Sequence, residues 1–332
     1  MPIWKRPAAF GRLMVLLAGL ALAACGSSGI DGSRLASPRD GEWPSDGRNY
    51  AAERYSPLTQ VNAENVGQLG LAWYDDLDTY RGVEATPVYA DGVLYNTLPW
   101  NITIAYDAQT GKRLWTFDPK VQRDIGRYAC CEPVARGLAL WKDKVIIATL
   151  DGRLIGIDAK TGKEVWSTQT FTHEMAYTIT GAPRVFDGKV VIGNSGGDMG
   201  VRGFVSAWDA DTGKKLWKFF LTPNDPAKGP DGEASDPIMD MIRKTWSEDG
   251  MWKELGGGAN PWDSIAYDPE LKLVYVGTGN GSPLSWEYRS KSTGDNLFVC
   301  SIVALHAEDG SYAWHYQMVP EENWDYTCTS SI

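Results

Sequence analysis

The sequence sets two cysteines side by side, Cys130 and Cys131, in a chain that contains five cysteines in all. Thiols can join as disulfide bonds, but consecutive α-carbons lie only about 3.8 Å apart, whereas ordinary disulfides join α-carbons about 4.4–6.8 Å apart. The pair therefore either bonds to two different partners or closes on itself as a strained ring.

The N-terminal segment indicates the compartment in which these thiols would fold. Positive charges (Lys5, Arg6 and Arg12) precede an apolar run, residues 13–24, which ends at Cys25. The run is shorter than the about 18 residues that a membrane-spanning helix needs, so residues 1–24 are interpreted as an export signal. The sequence LAAC resembles a bacterial lipobox, which would make Cys25 a lipid anchor. The alternative is plain cleavage after ALA, with Cys25 lost or left free.

Export to an oxidising compartment would let disulfides persist. With Cys25 acylated, Cys130, Cys131, Cys300 and Cys328 remain, and the sequence alone does not choose among their pairings. A zinc site built from these four thiolates is the other interpretation. The usual C-x2-4-C spacing is absent and the chain has only three histidines, which disfavours zinc.

A repeated motif indicates the elements that must position these residues. Gly111, Gly162 and Gly213 lie 51 residues apart, and Gly310 follows after 97. The four copies are AYDAQTGKRLW (105–115), GIDAKTGKEVW (156–166), AWDADTGKKLW (207–217) and ALHAEDGSYAW (304–314). A period near 50 residues with short strands is typical of a solenoid or propeller.

Each copy has the features of a hairpin in a stacked sheet. Alternating stretches such as VLYNT and KVVIG predict inner strands. In D-x-x-T-G-K the Asp accepts local backbone hydrogen bonds and the Gly takes a positive φ. The Trp that closes the motif can pack between neighbouring sheets. Because one such sheet cannot bury both faces alone, the sequence predicts an all-β fold, a β-propeller.

The repeats resemble those of the pyrroloquinoline quinone (PQQ) alcohol and methanol dehydrogenases, in which a tryptophan-docking turn ends each blade. The resemblance runs from about residue 43 to the last residue. It rests on GVEATP, ACCEPVARGLALW, TGAP, NSGGDMGVRG, GGGANPWDSIAYDPE, VGTGNGSP, GDNLF and ENWDYT.

That family has eight blades, so about half a ring is implied here. We expect a tether or linker at 25–41 and a partial propeller catalytic domain at 42–332, truncated at its C-terminus. A complete four-bladed ring is one alternative, and a fragment that folds poorly is another.

The resemblance implies a cofactor site. In the family a vicinal disulfide, here Cys130–Cys131, lies against one face of PQQ and a tryptophan, here Trp262, stacks on the other. Arg136 corresponds to the arginine that pairs with a PQQ carboxylate. The remaining implied rim contacts are Glu84, Thr180, Ser195, Gly196 and Gly197. Judged alone, Trp262 would be a core aromatic, and a surface salt bridge would be the ordinary role of Arg136 or of Glu84.

The resemblance also implies a metal site and a general base. The family ligands correspond to Asn280 and Asp325, with Asp198 where the family has Glu; oxygen ligands of this kind suit Ca²⁺. Thr327 stands where lanthanide-type members carry an extra Asp, which favours calcium. Asp325 would take the alcohol proton while hydride passes to the quinone.

The implied function is a periplasmic, lipid-anchored PQQ- and calcium-dependent alcohol dehydrogenase that oxidises a primary alcohol to an aldehyde. The chain lacks C-x-x-C-H, so electrons would pass to a separate carrier such as cytochrome c or a quinone, or to a region beyond Ile332. The net charge of −10 argues against a nucleic-acid partner. The alternative is a non-catalytic outer-membrane lipoprotein scaffold built from the same repeats.

Overall fold

Four antiparallel sheets of four strands each dominate the computed structural model, which describes residues 29–172 and 175–332. The predicted signal peptide and Cys25 lie outside the described residues. The strands in chain order are β1 (Val88–Ala90), β2 (Val93–Thr97), β3 (Thr103–Asp107), β4 (Arg113–Phe117), β5 (Ala139–Trp141), β6 (Lys144–Ala148), β7 (Arg153–Asp158), β8 (Glu164–Gln169), β9 (Arg184–Phe186), β10 (Lys189–Gly193), β11 (Phe204–Asp209), β12 (Lys215–Phe220), β13 (Gly257–Gly258), β14 (Ile265–Asp268), β15 (Leu273–Gly277), β16 (Gly281–Ser282), β17 (Ser301–His306) and β18 (Tyr312–Gln317).

Each predicted repeat forms one sheet, which we call a blade. The blades are β1–β4, β5–β8, β9–β12 and, with an insertion, β14-β15-β17-β18. In each blade the strands follow one another as neighbours, and a register shift recurs between the third and fourth strands. In the described ranges, β13 and β16, which flank β14 and β15 in the sequence, pair as a small separate sheet.

Short helices lie between and beside the blades. The α-helices are α1 (Gly32–Ala36), α2 (Met239–Arg243), α3 (Trp252–Leu255) and α4 (Trp286–Ser290). The 3₁₀ turns are Val66–Gln68, Pro99–Asn101, Arg123–Tyr128, Gly197–Met199, Pro226–Lys228 and Asp236–Ile238. None of the helices in the described ranges has the length and apolar content to cross a membrane.

The repeated turn has the predicted structure. In the second blade, Asp158 Oδ1 accepts hydrogen bonds from the Thr161 backbone N–H and hydroxyl, each at 2.7 Å. Gly162 follows with φ +69°, a conformation that other residues adopt at a cost. The first and third blades repeat these Asp–Thr bonds.

Tryptophans connect successive blades, as the motif predicts. The Trp115 indole of the first blade donates to Ala159 O in the second blade at 2.9 Å, and its ring covers Gly162. The equivalent ring–glycine pairs are Trp73 on Gly111, Trp166 on Gly213 and Trp217 on Gly310. Glycine is therefore required at each of these positions for two reasons. It adopts the positive φ, and its missing side chain leaves room for the indole.

The hydrophobic core lies between the blades and toward their inner strands. Val145, Ile146 and Ile147 on β6 have no exposed surface, while the outermost strands alternate between covered and exposed residues. The first strands β5 and β14 both contact β9. The first strands of the second, third and fourth blades therefore lie around a common region.

The packed part of the chain begins before residue 42, earlier than the predicted domain boundary. Ile30 pairs with Lys142, and Leu35 on α1 is 2% exposed. Arg34 is also buried, where it forms ion pairs with Glu42 and Asp91. The polar, Gly- and Ser-rich composition predicts a linker here, but these three side chains attach residues 30–36 to the blades.

Candidate active site

Eleven of the predicted site residues line one cavity of about 220 Å³. They are Cys130, Cys131, Arg136, Thr180, Ser195, Gly196, Gly197, Asp198, Trp262, Asn280 and Asp325. Their separation in sequence is large, so the fold rather than the local chain brings them together. Glu84 is the predicted residue that does not line this cavity.

The blade topology explains the convergence. In an antiparallel meander, the segment before the first strand and the loop between the second and third strands lie at the same end of the sheet. Arg136, Thr180 and Trp262 precede the first strands β5, β9 and β14. Ser195 and Asn280 follow the second strands β10 and β15. All five therefore meet at one end of three successive blades.

Arg136 lies between Trp262 and Glu84. Its guanidinium carbon is 4.6 Å from the centre of the Trp262 ring, and its Nη2 is 3.2 Å from Glu84 Oε2. The Arg136 backbone N–H donates to Thr180 O at 3.0 Å. Glu84 lines an adjoining polar cleft instead of the cavity, so in this structure it contacts the predicted cofactor site through Arg136.

Two further hydrogen bonds fix cavity side chains. Trp262 Nε1 donates to Thr327 Oγ1 at 3.0 Å. The hydroxyls of Thr180 and Ser195 lie 2.7 Å apart, within a hydrogen bond. These bonds hold the indole and the hydroxyls in defined orientations at the cavity wall.

Cys130 and Cys131 are free thiols in the structure, which differs from the vicinal disulfide that the resemblance implies. Desolvation, and then the Cys131 thiol and the Asp198 carboxylate, raise the pKa of Cys130 to about 12. The bond between the two remains a prediction, since both side chains line the cavity as expected.

Cys300 and Cys328 form a disulfide, which settles a pairing that the sequence left open. Their α-carbons are 4.9 Å apart across a sequence separation of 28. Cys300 precedes β17, and Cys328 lies three residues after Asp325. The bond therefore ties the segment that carries Asp325 to the fourth blade.

The predicted metal ligands lie beside one another. Asn280 Nδ2 is 3.4 Å from Asp198 Oδ1. Burial, followed by the negative charges of Asp198 and Glu322, raises the pKa of Asp325 above its ordinary value. In the described ranges no group of three or more His, Cys, Asp or Glu side chains could hold a metal. The predicted set has two carboxylates and one amide, and a cation bound there would offset the repulsion between the carboxylates.

The sequence did not reveal two other residues of the cavity, Asn260 and Thr178. Asn260 is 2% exposed, and its Oδ1 and Nδ2 have no hydrogen-bond partner in the described part of the chain. The fully buried Thr178 hydroxyl is likewise unpartnered there. Leaving such groups unpaired is costly, and a polar ligand in the cavity would satisfy them. Asn260 lies in the same NPWDS segment as Trp262, which was the available signal.

A glycine leaves space beside Asn260. A Cβ on Gly197 would lie 2.9 Å from Asn260 Oδ1. Any side chain at Gly197 would therefore crowd the unpartnered amide. The cavity thus combines the Trp262 ring, the Arg136 guanidinium, unpartnered amide and hydroxyl groups, and two carboxylates. The first three suit a flat polyanionic ligand, and the carboxylates suit a metal ion.

Comparison with known proteins identifies relatives along nearly the whole chain. A family model described as "PQQ: Glucose/ethanol/alcohol dehydrogenase, beta-propeller domain" matches residues 43–331. The chain is 53% identical over 330 residues to quinohemoprotein alcohol dehydrogenase ADH IIB of Pseudomonas putida, covering 99% of this chain and 47% of the relative. It is also 53% identical over 299 residues to the dehydrogenase subunit of the quinone alcohol dehydrogenase of Gluconobacter oxydans strain 621H, covering 88% of this chain and 39% of the relative.

A solved structure supports the same relationship. Quinohemoprotein alcohol dehydrogenase from Comamonas testosteroni superposes with a TM-score of 0.87 at 50% identity, covering 93% of this chain and 46% of that chain. These matches confirm the predicted resemblance and the β-propeller fold. The chain spans about half the length of the relatives that it matches.

Proposed function

The chain belongs to the family of PQQ-dependent alcohol dehydrogenases, and on that basis we propose that the whole protein oxidises a primary alcohol to an aldehyde with PQQ and calcium. The observation that carries the proposal is the grouping of eleven predicted site residues in one cavity. Relatives named as alcohol dehydrogenases support the reaction class.

The residues present fit PQQ, a planar tricarboxylate. Trp262 and the Cys130–Cys131 pair would hold its two faces, and Arg136 would pair with a carboxylate. The unpartnered Asn260 amide and Thr178 hydroxyl support the presence of a polar ligand in this cavity. When bound, PQQ would supply the hydride-accepting centre of the reaction.

Asp325 would act as the general base, receiving the alcohol proton at a carboxylate oxygen. Burial and the neighbouring carboxylates raise its pKa, which favours proton uptake, whereas calcium bound beside it would favour the ionised form that accepts the proton. Asp198, Asn280 and Asp325 would hold calcium, whose preference for oxygen ligands they match. Asp198 has one methylene fewer than the Glu expected from the resemblance, so it reaches less far from the backbone.

We infer the remaining features from the sequence and from the names of relatives. Calcium is preferred to a lanthanide because Thr327 occupies the position at which the resemblance expects a lanthanide-type Asp. A separate electron acceptor is supported by a 43% identical relative named 1-butanol dehydrogenase (cytochrome c) of Thauera butanivorans. Periplasmic location and a lipid anchor at Cys25 follow from the N-terminal segment alone.

The direct test uses the full-length protein reconstituted with PQQ and Ca²⁺ and assayed with ethanol and a dye acceptor. We expect turnover that requires both additions and that falls at least about 100-fold in Asp325→Asn, since general-base catalysis contributes about 10²–10⁴-fold. A fully loaded protein without turnover would contradict the proposal, as would an undiminished Asp325→Asn. Absence of turnover would make the non-catalytic scaffold, which needs none of these cavity residues, the better hypothesis, whereas an undiminished Asp325→Asn would exclude Asp325 as the base.

A further inference from the structure

Glu322 is a fully buried carboxyl three residues before Asp325. It lies in the charged stretch PEENWD, where a surface position would be expected, and yet it has no exposed surface. Burying an acidic side chain is costly unless hydrogen bonds compensate for the lost water. Its partners therefore indicate what it stabilises.

Those partners are the backbone groups next to the predicted base and next to a predicted metal ligand. Glu322 Oε1 accepts from the backbone N–H groups of Trp324 at 2.7 Å and Tyr326 at 3.0 Å, which flank Asp325 on both sides. Glu322 Oε2 accepts from Gly281 N–H at 3.4 Å, and Gly281 immediately follows Asn280. One carboxyl thus joins the two chain segments that carry Asn280 and Asp325.

The turn that Glu322 holds is strained. Asp325 has φ +64°, in the left-handed region that costs a residue with a side chain about 1–2 kcal/mol. Such a conformation persists where the surroundings impose it. Hydrogen bonds to the amides before and after Asp325 impose it here.

Arg289 contacts both of the chain segments that Glu322 joins. Its side chain has no exposed surface, and its guanidinium donates to Pro283 O at 2.9 Å, to Leu284 O at 2.7 Å and to the Glu322 backbone carbonyl. A Cβ on Gly281 would lie 2.3 Å from the Arg289 guanidinium carbon, so the backbone of Gly281 rests directly on that cation. Arg289 therefore places a positive charge beside these contacts and holds the backbone of Gly281 and Glu322 in place.

We propose that Glu322 is a positioning residue that sets the Asp325 and Asn280 segments in the relative arrangement needed to bind the metal and to accept the proton. The proposal rests on the proposed function of the cavity. In this role Glu322 contacts neither substrate nor cofactor and acts entirely through the backbone of its neighbours.

The chemistry of the carboxyl makes the proposal testable by a nearly isosteric change. In Glu322→Gln one oxygen becomes an NH₂ group, which cannot accept a hydrogen bond. Either Gly281 or the pair of amides around Asp325 then faces a donor. Glu322→Asp keeps the charge and both acceptor oxygens but shortens the reach. Glu321→Gln is the matched control, since Glu321 is adjacent, exposed and loses the same charge.

The full-length protein carrying each change would be compared by three measurements. Hydrogen exchange without PQQ or metal reports the protection of the Gly281, Trp324 and Tyr326 amides, and calorimetric titration with Ca²⁺ alone reports metal affinity. Steady-state kinetics of the loaded enzyme separates kcat from KM. For Glu322→Gln we expect loss of amide protection, about 10–100-fold weaker Ca²⁺ binding and a similar fall in kcat with KM for the alcohol nearly unchanged. Glu322→Asp should recover part of each loss.

The proposal is overturned if Glu322→Gln lowers only thermal stability while its kcat and Ca²⁺ affinity equal those of Glu321→Gln. If Glu322→Gln does not fold, the Glu322→Asp variant decides by the same comparison. A wild-type protein without Ca²⁺ binding or turnover would contradict the proposed function itself. Amide exchange would then still decide the structural part, because unchanged protection at all three amides (Gly281, Trp324 and Tyr326) in Glu322→Gln would exclude these contacts as the turn's support.

Discussion

The Trp262 indole N–H donates to the Thr327 hydroxyl at 3.0 Å, and this bond joins two sides of the cavity. Trp262 precedes the first strand of the fourth blade, whereas Thr327 follows its last strand and lies two residues after Asp325. The aromatic wall and the predicted base are therefore mechanically linked. A substitution at Thr327 should therefore change the orientation of the Trp262 ring.

Replacing Thr327 by Val removes the acceptor while keeping the shape of the side chain. This bond is solvent-exposed in the structure, and bound PQQ would cover it. A covered indole N–H without an acceptor costs about 1 kcal/mol or more, so we expect PQQ to bind about 5- to 10-fold more weakly. Thr327→Ser restores the hydroxyl and should restore the affinity. Calorimetric titration of the metal-loaded protein with PQQ measures this, and equal affinities of the Val and Ser variants would show that the bond does not orient the ring.

Arg136→Lys should weaken PQQ binding by at least about 10-fold despite keeping the charge. Lysine has a compact ammonium group, which can neither stack flat on Trp262 nor pair bidentately with a carboxylate. Arg184→Lys is the control, because Arg184 lies in the adjoining polar cleft and pairs with Asp46 instead of lining the cavity. The same titration compares them, and an equal loss in both variants would point to a general charge effect.

The repeated turn and the docking tryptophans were predictable from sequence because their causes are local. Asp158, Thr161 and Gly162 act within one hairpin, and a fixed period shows that the hairpin recurs. The grouping of site residues such as Arg136 and Asp325 depends instead on blade topology. It was predictable only through motifs that resemble a known family.

What the sequence left out depends on long-range contacts. The charged stretch PEENWD suggests a surface position for Glu322, but in the structure its side chain is buried against Gly281. Ile30 and Leu35 lie in a polar stretch that predicts a linker, and they are buried because the blades provide their partners. Asn260 carries no periodic or charge signal, and its only mark in the sequence is its place beside Trp262 in NPWDS; the unpartnered amide inside the cavity is what identifies it.

Gly162→Ala should destabilise the protein more than a glycine replacement in an equivalent conformation elsewhere. At Gly162 the new Cβ lies 2.7 Å from the Trp115 ring and φ is +69°. At Gly92 φ is +81°, but nothing lies within 4 Å of a Cβ. We expect Gly92→Ala to cost about 1 kcal/mol of unfolding free energy and Gly162→Ala about 1–3 kcal/mol more, from crowding. Chemical denaturation of both variants measures the difference, and equal losses would refute docking of Trp115 as a source of stability.

Acid should remove the stabilisation that Arg34 provides. Hydrogen bonds from Arg34 are the main cause of the lowered pKa of Asp91. For Glu42, burial alone would raise the pKa, but the contacts with Arg34 outweigh it and the pKa of Glu42 is lowered too. Both carboxyls then bind fewer protons in the folded state than in the unfolded state. The stabilisation is therefore fully present above about pH 4.5 and is lost as pH falls through the lowered folded-state pKa values.

Arg34→Met tests this because it leaves Glu42 buried without its main ionic partner. We expect a loss of about 3 kcal/mol in unfolding free energy at pH 7, which shrinks as pH falls below about 4.5 and through the lowered pKa values of both carboxyls. Arg39→Met is the control, since the Arg39 side chain is 61% exposed and its pair with Asp91 should contribute less than about 1 kcal/mol. Denaturant titrations between pH 3 and pH 8 compare the variants. A loss in Arg34→Met that stays constant with pH would mean that the packing of the arginine side chain, rather than its charge, attaches residues 30–36 to the blades.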